Sequence, residues 1–123
     1  MILVDTSIWI DHLRNGSRAL ATSLQNELVC THDFVIGELA CGNLGNRAEV
    51  LGLLQSLSRL SAATEGETLF FIEQQHLMGC GIGYIDVHLL AAAVIRRIPI
   101  WTKDKRLMVI AEEKGWAYAT AAH

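Results

Sequence analysis

Short apolar runs alternate along the chain with longer segments in which apolar residues recur every three or four positions. The short runs predict buried strands, and the longer segments predict helices with one apolar face. Strands are predicted at residues 2–4, 28–31, 60–63, 98–102 and 116–119, and helices at residues 6–13, 18–25, 33–41, 47–57, 67–78, 84–96 and 105–114. Because helices separate the strands, we expect an α/β fold with a parallel sheet and helices on both of its faces.

The composition is typical of an ordered domain with a substantial core. Of the 123 residues 51% are hydrophobic, and there is one proline, so we expect one domain over residues 1–123. The longest uncharged apolar run, residues 89–95, is too short to cross a bilayer, and no signal-peptide pattern begins the chain. We therefore expect a cytoplasmic protein that does not associate with a membrane. Its cysteines lack a C-x-x-C spacing and are expected to be buried thiols: Cys30, Cys41 and Cys80.

Four acidic residues are notable for their positions relative to the predicted elements. Asp5 and Asp104 each follow a strand, and the carboxyl ends of parallel strands meet at one edge of the sheet, where ligands bind. Asp86 lies in the first turn of a helix, where the helix dipole favours an ionised carboxylate. Glu38 lies in the middle of a helix among apolar residues, where we expect it to be buried and therefore costly unless paired or bound to a metal.

Each of these acids also has a structural interpretation, although a capping role is not available to Glu38 in the middle of its helix. Asp5 and Asp104 can cap the helices that follow them, and Asp86 can simply satisfy the dipole of its own helix. If the fold brings all four together, the like charges raise one another's pKa, and a divalent cation would relieve the repulsion. Oxygen ligands without histidine suit Mg²⁺ or Mn²⁺ better than Zn²⁺.

The net charge is −3, from 10 basic and 13 acidic residues. Taken alone, this value lacks the basic footprint that is typical of nucleic-acid-binding proteins. If four carboxylates hold a metal ion, however, the remaining acids and bases nearly balance. The charge therefore does not exclude a nucleic-acid substrate.

Four stretches of the sequence resemble those of PIN-domain ribonucleases, and most of all the VapC toxins of bacterial toxin–antitoxin pairs: LVDTSIWIDHLR, IGELACG, GYIDVHLLAAAVI and WTKDKRL. The resemblance covers nearly the whole chain, with the four stretches in the family's order. It implies a three-layer α/β/α PIN-like domain with a short, mostly parallel central sheet. It also implies an endoribonuclease that depends on Mg²⁺ or Mn²⁺ and is inhibited by a VapB-like antitoxin, as a homodimer or a toxin–antitoxin hetero-oligomer.

The same resemblance implies roles for individual residues. The catalytic acids and metal ligands would be Asp5, Glu38, Asp86 and Asp104. Hydroxyl groups would support the site, and the candidates are Thr6, Ser7 and Thr102.

Basic residues close in sequence to these elements are candidates for contacts with the RNA backbone, which a polyanionic substrate requires. They are Arg14, Lys103, Lys105 and Arg106. The alternative for each is an ordinary charge on a solvated helix face. The glycines at positions 79, 81 and 83 lack the G-x-G-x-x-G order and a preceding strand, so we expect a hinge rather than a phosphate loop.

Three other functions fit the sequence less well than a nuclease. An aspartyl-phosphate phosphatase would need a second aspartate two residues after Asp5, where this chain has Ser7. A receiver domain usually needs a further acid beside the first, and residues 2–4 are all apolar. A non-catalytic module that binds RNA or a protein would not need four acids. A partner helix would fit a groove formed by apolar residues of two helices, unless these are ordinary core residues: Leu20, Leu24, Val50 and Leu54.

Overall fold

The computed structural model describes residues 1–119, which form short strands separated by helices. The strands are β1 (Ile2–Val4), β2 (Val29–Thr31), β3 (Ser58–Arg59) and β4 (Ile100–Trp101). The helices are α1 (Thr6–Asn15), α2 (Arg18–Gln25), α3 (Asp33–Ala40), α4 (Arg47–Ser56), α5 (Glu65–Gln75), α6 (Tyr84–Arg96) and α7 (Lys105–Glu113). No helix among the described residues is both long and apolar enough to cross a membrane.

The four strands form one sheet in the order β3-β2-β1-β4, and every pairing is parallel. Leu3 of β1 lies opposite Cys30 on one side and Ile100 on the other. The three residues of β1 are all buried, as expected for a central strand with helices on both faces. The predicted α/β fold with a parallel sheet is confirmed.

The core is formed around β1 and α6. Seven consecutive residues of α6, Val87–Ala93, are buried, which is expected of a helix that is surrounded by other elements. Its three alanines allow neighbouring backbone to approach closely. Trp9 and Leu20 are also buried, with at most 1% of their surface exposed.

Two strand predictions are wrong in their details. The edge strand predicted at residues 60–63 lies at Ser58–Arg59, and both of its residues are exposed. The last strand, predicted at residues 116–119, is a single parallel bridge between Ile100 and Ala117. Helix α5 also begins two residues earlier than predicted, because Thr64 and Glu67 form a reciprocal capping box at its start.

Two predictions about apolar side chains are also wrong. Cys30 is buried as expected, but Cys41 and Cys80 are exposed. The groove predicted for a partner helix does not exist in that form, because Leu20 and Leu54 are fully buried in the core. The alternative, that they are ordinary core residues, is correct for these two.

Candidate active site

The candidate site lies where β1 and β4 end side by side. The backbone N–H of Asp5 donates to the carbonyl of Trp101 at 2.9 Å, so the two strand ends are fixed together. Helix α1 begins immediately after Asp5, and α7 begins immediately after Asp104. Parallel pairing of two strands distant in sequence therefore brings the first and the fourth predicted acid to the same edge of the sheet.

The carboxylate of Asp5 is buried and is held by two hydroxyl groups. Its Oδ2 accepts hydrogen bonds from Ser7 Oγ at 2.8 Å and Thr102 Oγ1 at 2.7 Å. Asp5 occupies the N-cap position of α1, but its side chain makes no capping hydrogen bond. The capping interpretation is therefore wrong for this residue. A buried carboxylate is stabilised by such donors, which replace part of its hydration.

The same hydroxyls connect the ends of the two strands. Ser7 Oγ accepts a hydrogen bond from the backbone N–H of Lys103 at 2.9 Å. Thr102 Oγ1 accepts one from the backbone N–H of Asp104 at 3.0 Å. The loop that carries Asp104 is therefore fixed to the loop that carries Asp5.

Asp86 is half-buried in the first turn of α6, and the other acids act on it. Its pKa is raised from 3.8 to about 6, first by burial and then by the charges of Asp5, Asp104 and Glu38. The backbone N–H of Gly83, the N-cap residue of α6, partly opposes this rise in pKa. The charges of the other three predicted acids therefore reach Asp86, and we call the region of these four residues the cleft.

Glu38 and Asp104 are the two exposed members of this set. Glu38 accepts a hydrogen bond from Thr6 Oγ1 at 2.7 Å. The expectation that Glu38 is buried is wrong, because α3 buries Val35 and Leu39, four positions apart on one face, and leaves Glu38 exposed. Asp104 Oδ1 accepts from the backbone N–H of Leu107 at 2.9 Å. For Asp104, the capping interpretation is therefore correct for one of its two oxygens.

Comparisons with known proteins agree with this arrangement. A model of the PIN domain matches residues 2–113. The chain belongs to the PIN-domain family. It is 40% identical, over 120 residues and 97% of each chain, to Ribonuclease VapC32 of two strains of Mycobacterium tuberculosis. Within the family it is thus similar to the VapC proteins.

Solved structures show the same fold. This chain resembles PAE2754 from Pyrobaculum aerophilum with a TM-score of 0.68 at 15% identity, over 95% of this chain and 87% of that one. It resembles a chain of the DNA-bound VapBC from Salmonella typhimurium with a TM-score of 0.67 at 19% identity, over 88% and 89% of the two chains. A further match is a chain of FitAcB from Neisseria gonorrhoeae, with a TM-score of 0.62 at 20% identity over 91% and 94%.

The cleft of this PIN domain offers the type of ligand atom that hard cations prefer, but its side chains are not arranged as a complete metal site. Its donors are carboxylate oxygens, which suit Mg²⁺ or Mn²⁺, and the raised pKa of Asp86 reflects a local excess of negative charge. Within residues 1–119, no three His, Cys, Asp or Glu side chains are close enough together to hold a metal ion as they stand. The residues therefore fit a divalent cation by their chemistry, although their side chains do not surround one position.

The basic residues predicted to contact RNA have different surroundings. Arg14 lines a cavity of about 400 Å³ together with Glu38 and apolar residues of α1, α3 and α4. Lys103 forms an ion pair with Asp11 at 3.3 Å, and Arg106 donates to a backbone carbonyl. Lys105 is exposed on α7. Arg14 is thus the basic residue that shares a cavity with one of the acids.

Sequence reasoning missed two residues that contact the predicted site. Asp11 fixes the side chain of Lys103, and no local pattern could indicate this pairing because the two residues are distant in sequence. Gly83 provides the backbone N–H to Asp86. The spacing of an acid three residues after a helix N-cap, as in a capping box, is a signal that could have identified it.

Proposed function

We propose that this chain is a metal-dependent endoribonuclease toxin that acts in the cytoplasm as one PIN-like domain. The observation that carries the proposal is the Asp5 carboxylate, which Ser7 and Thr102 hold at the sheet edge where the loop of Asp104 is also fixed. The charges of Asp5, Asp104 and Glu38 also act on Asp86. Four carboxylates that repel one another in one cleft are costly for the fold, and a divalent cation offsets this cost. The 40% identity to a protein named as a ribonuclease gives independent support.

The proposed site assigns a task to each acid. Asp5 and Asp86 would hold Mg²⁺ or Mn²⁺ directly or through water, and Glu38 and Asp104 would hold waters or a second ion. When bound, the cation would stabilise charge on the scissile phosphate and lower the pKa of water. Either Glu38 or Asp104 would accept the proton of the attacking water.

The hydroxyl groups and basic residues would complete the site. Ser7 and Thr102 would keep the Asp5 carboxylate oriented, and Thr6 would do the same for Glu38. RNA phosphates would bind to basic side chains around the cleft, namely Arg14, Lys103 and Lys105. These contacts predict RNA binding that weakens as the salt concentration rises.

We also propose a VapB-like antitoxin as partner, together with a homodimer or a toxin–antitoxin hetero-oligomer. Support comes from two structural neighbours, one described as a toxin–antitoxin complex from Klebsiella pneumoniae and the other as DNA-bound VapBC. The cavity of about 400 Å³ beside Glu38 has apolar walls from Leu13, Leu39 and Val50, which suit apolar side chains of a partner segment. A cationic side chain of that partner in the acidic cleft would replace the charge of the metal.

The nuclease is tested by incubating purified, partner-free protein with total cellular RNA in Mg²⁺, in Mn²⁺ and in chelator. Wild type is compared with Asp5→Asn and with Asp33→Asn, a surface aspartate paired with Arg59. We expect metal-dependent fragments from wild type and Asp33→Asn, and none from Asp5→Asn. No cleavage by folded wild type in either metal would favour the non-catalytic binding module.

The partner is tested by co-purification of the chain with the product of an adjacent small gene. We expect cleavage to appear only after the partner has been removed. Equal cleavage in the complex and in the free chain would contradict the inhibitory role and leave the nuclease itself intact.

A further inference from the structure

The side chain of Arg106, in the first turn of α7, lies across the segment between α5 and α6. Its Nη1 donates to the carbonyl of Gly81 at 3.2 Å. Gly81 has a φ of +81°, and a Cβ atom added there would lie 2.8 Å from Nη1 and 3.2 Å from Cδ of Arg106. Any side chain at position 81 would therefore displace the arginine as well as strain the backbone.

The segment under Arg106 leads directly to Asp86. Two residues after Gly81, the backbone N–H of Gly83 lies close enough to the Asp86 carboxylate to lower its pKa. Gly83 is the N-cap of α6 and has no side chain with which to cap the helix. The position of its backbone, which decides whether that N–H reaches Asp86, is thus set by the segment that Arg106 contacts.

We infer that Arg106 is a positioning residue, which holds Gly81 so that the Gly83 amide stays directed at the Asp86 carboxylate. Arg106 is two residues from Asp104, the N-cap of α7. The contact therefore ties the start of α6, which carries Asp86, to the start of α7, which Asp104 precedes. The catalytic consequence of this tie rests on the proposed nuclease function, whereas the tie itself does not.

The contact acts through geometry rather than through the charge of the arginine. The charges that act on Asp86 are those of Asp5, Asp104 and Glu38, and Arg106 is not among them. A guanidinium has planar, fixed donors, which suit a carbonyl held at one position, whereas an ammonium on a flexible stem constrains that position less. Arg106→Lys should therefore recover only part of the effect of the arginine.

The first test is amide hydrogen exchange in the metal-free protein, followed by NMR at Gly83. In Arg106→Ala we expect the amide of Gly83 to exchange about tenfold faster, because one hydrogen bond that restrains local opening of the segment is lost. We expect an intermediate exchange rate in Arg106→Lys. The amide of Leu3 in the central strand reports global unfolding and should not change. An unchanged rate at Gly83 in Arg106→Ala would overturn the inference.

Two glycines of the same segment provide a matched pair of variants. Gly79→Ala places a side chain at a φ of +71° with nothing within 4 Å, whereas Gly81→Ala places one against Arg106. Both variants carry the backbone strain, but only Gly81→Ala displaces the arginine. We expect only Gly81→Ala to accelerate exchange at Gly83 as Arg106→Ala does. Equal acceleration in both variants would show that strain alone is responsible.

Steady-state RNA cleavage separates positioning from RNA binding. A positioning role predicts a lower kcat in Arg106→Ala with KM and its salt dependence unchanged, because Asp86 would hold the cation rather than bind the RNA. A contact between Arg106 and an RNA phosphate predicts a higher KM and a shallower salt dependence, and that result would overturn the inference. If wild type does not cleave RNA at all, the proposed function fails, and exchange at Gly83 still decides whether Arg106 holds the segment.

Discussion

Replacing Asp86 by Asn should stabilise the metal-free protein at neutral pH. The folded protein raises the pKa of Asp86 from 3.8 to about 6, so the ionised carboxylate is less favourable in the folded state than in the unfolded chain. Each unit of such an increase costs about 1.4 kcal/mol of stability when the group is ionised. Asparagine has nearly the same shape, keeps an oxygen that can face the Gly83 amide, and carries no charge to be repelled by the other acids.

The expected size follows from the pKa increase. The full increase corresponds to about 3 kcal/mol above pH 6, and solvent screening at this half-buried site reduces the expected gain to about 2 kcal/mol. Because folding raises the pKa of Asp86, the protein loses stability as the pH rises from 3.8 to 6. Below pH 3.8 the carboxyl group is protonated in both states, and this loss of stability is absent. The advantage of Asp86→Asn should therefore be largest at pH 7 and fall below about 0.6 kcal/mol near pH 4.

Urea unfolding in the presence of chelator measures this difference at each pH. Wild type is compared with Asp86→Asn and with Glu73→Gln, which removes an exposed carboxylate in the last turn of α5 and should stabilise the protein by at most about 1 kcal/mol, at every pH above about 5. Adding Mg²⁺ should stabilise wild type more than Asp86→Asn, because the cation relieves the repulsion only where the carboxylate is present. The reasoning is refuted if Asp86→Asn is no more stable than wild type at pH 7, or if its advantage is the same at pH 4.

Three further predictions concern the fold around the site, and each is checked by urea unfolding. His32 Nδ1 accepts a hydrogen bond from the Phe34 backbone N–H at the start of α3, and burial lowers the pKa of His32. The stability contributed by neutral His32 should therefore be complete above pH 6.5 and decrease as the pH falls below that value. His32→Asn should remove this pH dependence. Thr102→Val removes the donor to Asp5 and should cost about 2 kcal/mol, whereas an equal or greater stability would show that the hydroxyl does not support the carboxylate. Leu54→Ala empties a fully buried position and should cost about 2–5 kcal/mol; a smaller loss would mean that the core collapses around the gap.

The sequence was sufficient for the parts of the fold that follow from short-range patterns. The apolar run at residues 2–4 followed by Asp5 predicts a central strand that ends on a carboxylate, and the structure has both. Parallel pairing then places Asp5 next to the end of β4. The edge strand β3 differs from the strand predicted at residues 60–63 because Ser58 and Arg59 are exposed and polar. Their pairing depends on the neighbouring strand β2 rather than on an apolar pattern.

The surroundings of the acids were less predictable from the sequence. Apolar neighbours suggested that Glu38 was buried, but the helical period places Val35 and Leu39 on the buried face and leaves Glu38 on another. The ion pair of Asp11 with Lys103 and the contact of Arg106 with Gly81 join residues that are distant in sequence. Such contacts arise from tertiary packing, which periodicity and capping rules do not describe.

The most direct test of the proposed centre is single-turnover cleavage of one defined RNA, with analysis of the ends of the fragments. If the acidic cleft holds a cation and directs water at the phosphate, wild type in Mg²⁺ or Mn²⁺ should yield fragments with simple phosphate and hydroxyl ends and no cyclic phosphate. Chelator or Asp5→Asn should abolish these fragments, while Asp33→Asn should not. Cleavage that persists in chelator and leaves a cyclic phosphate, or full activity of Asp5→Asn, would contradict the account.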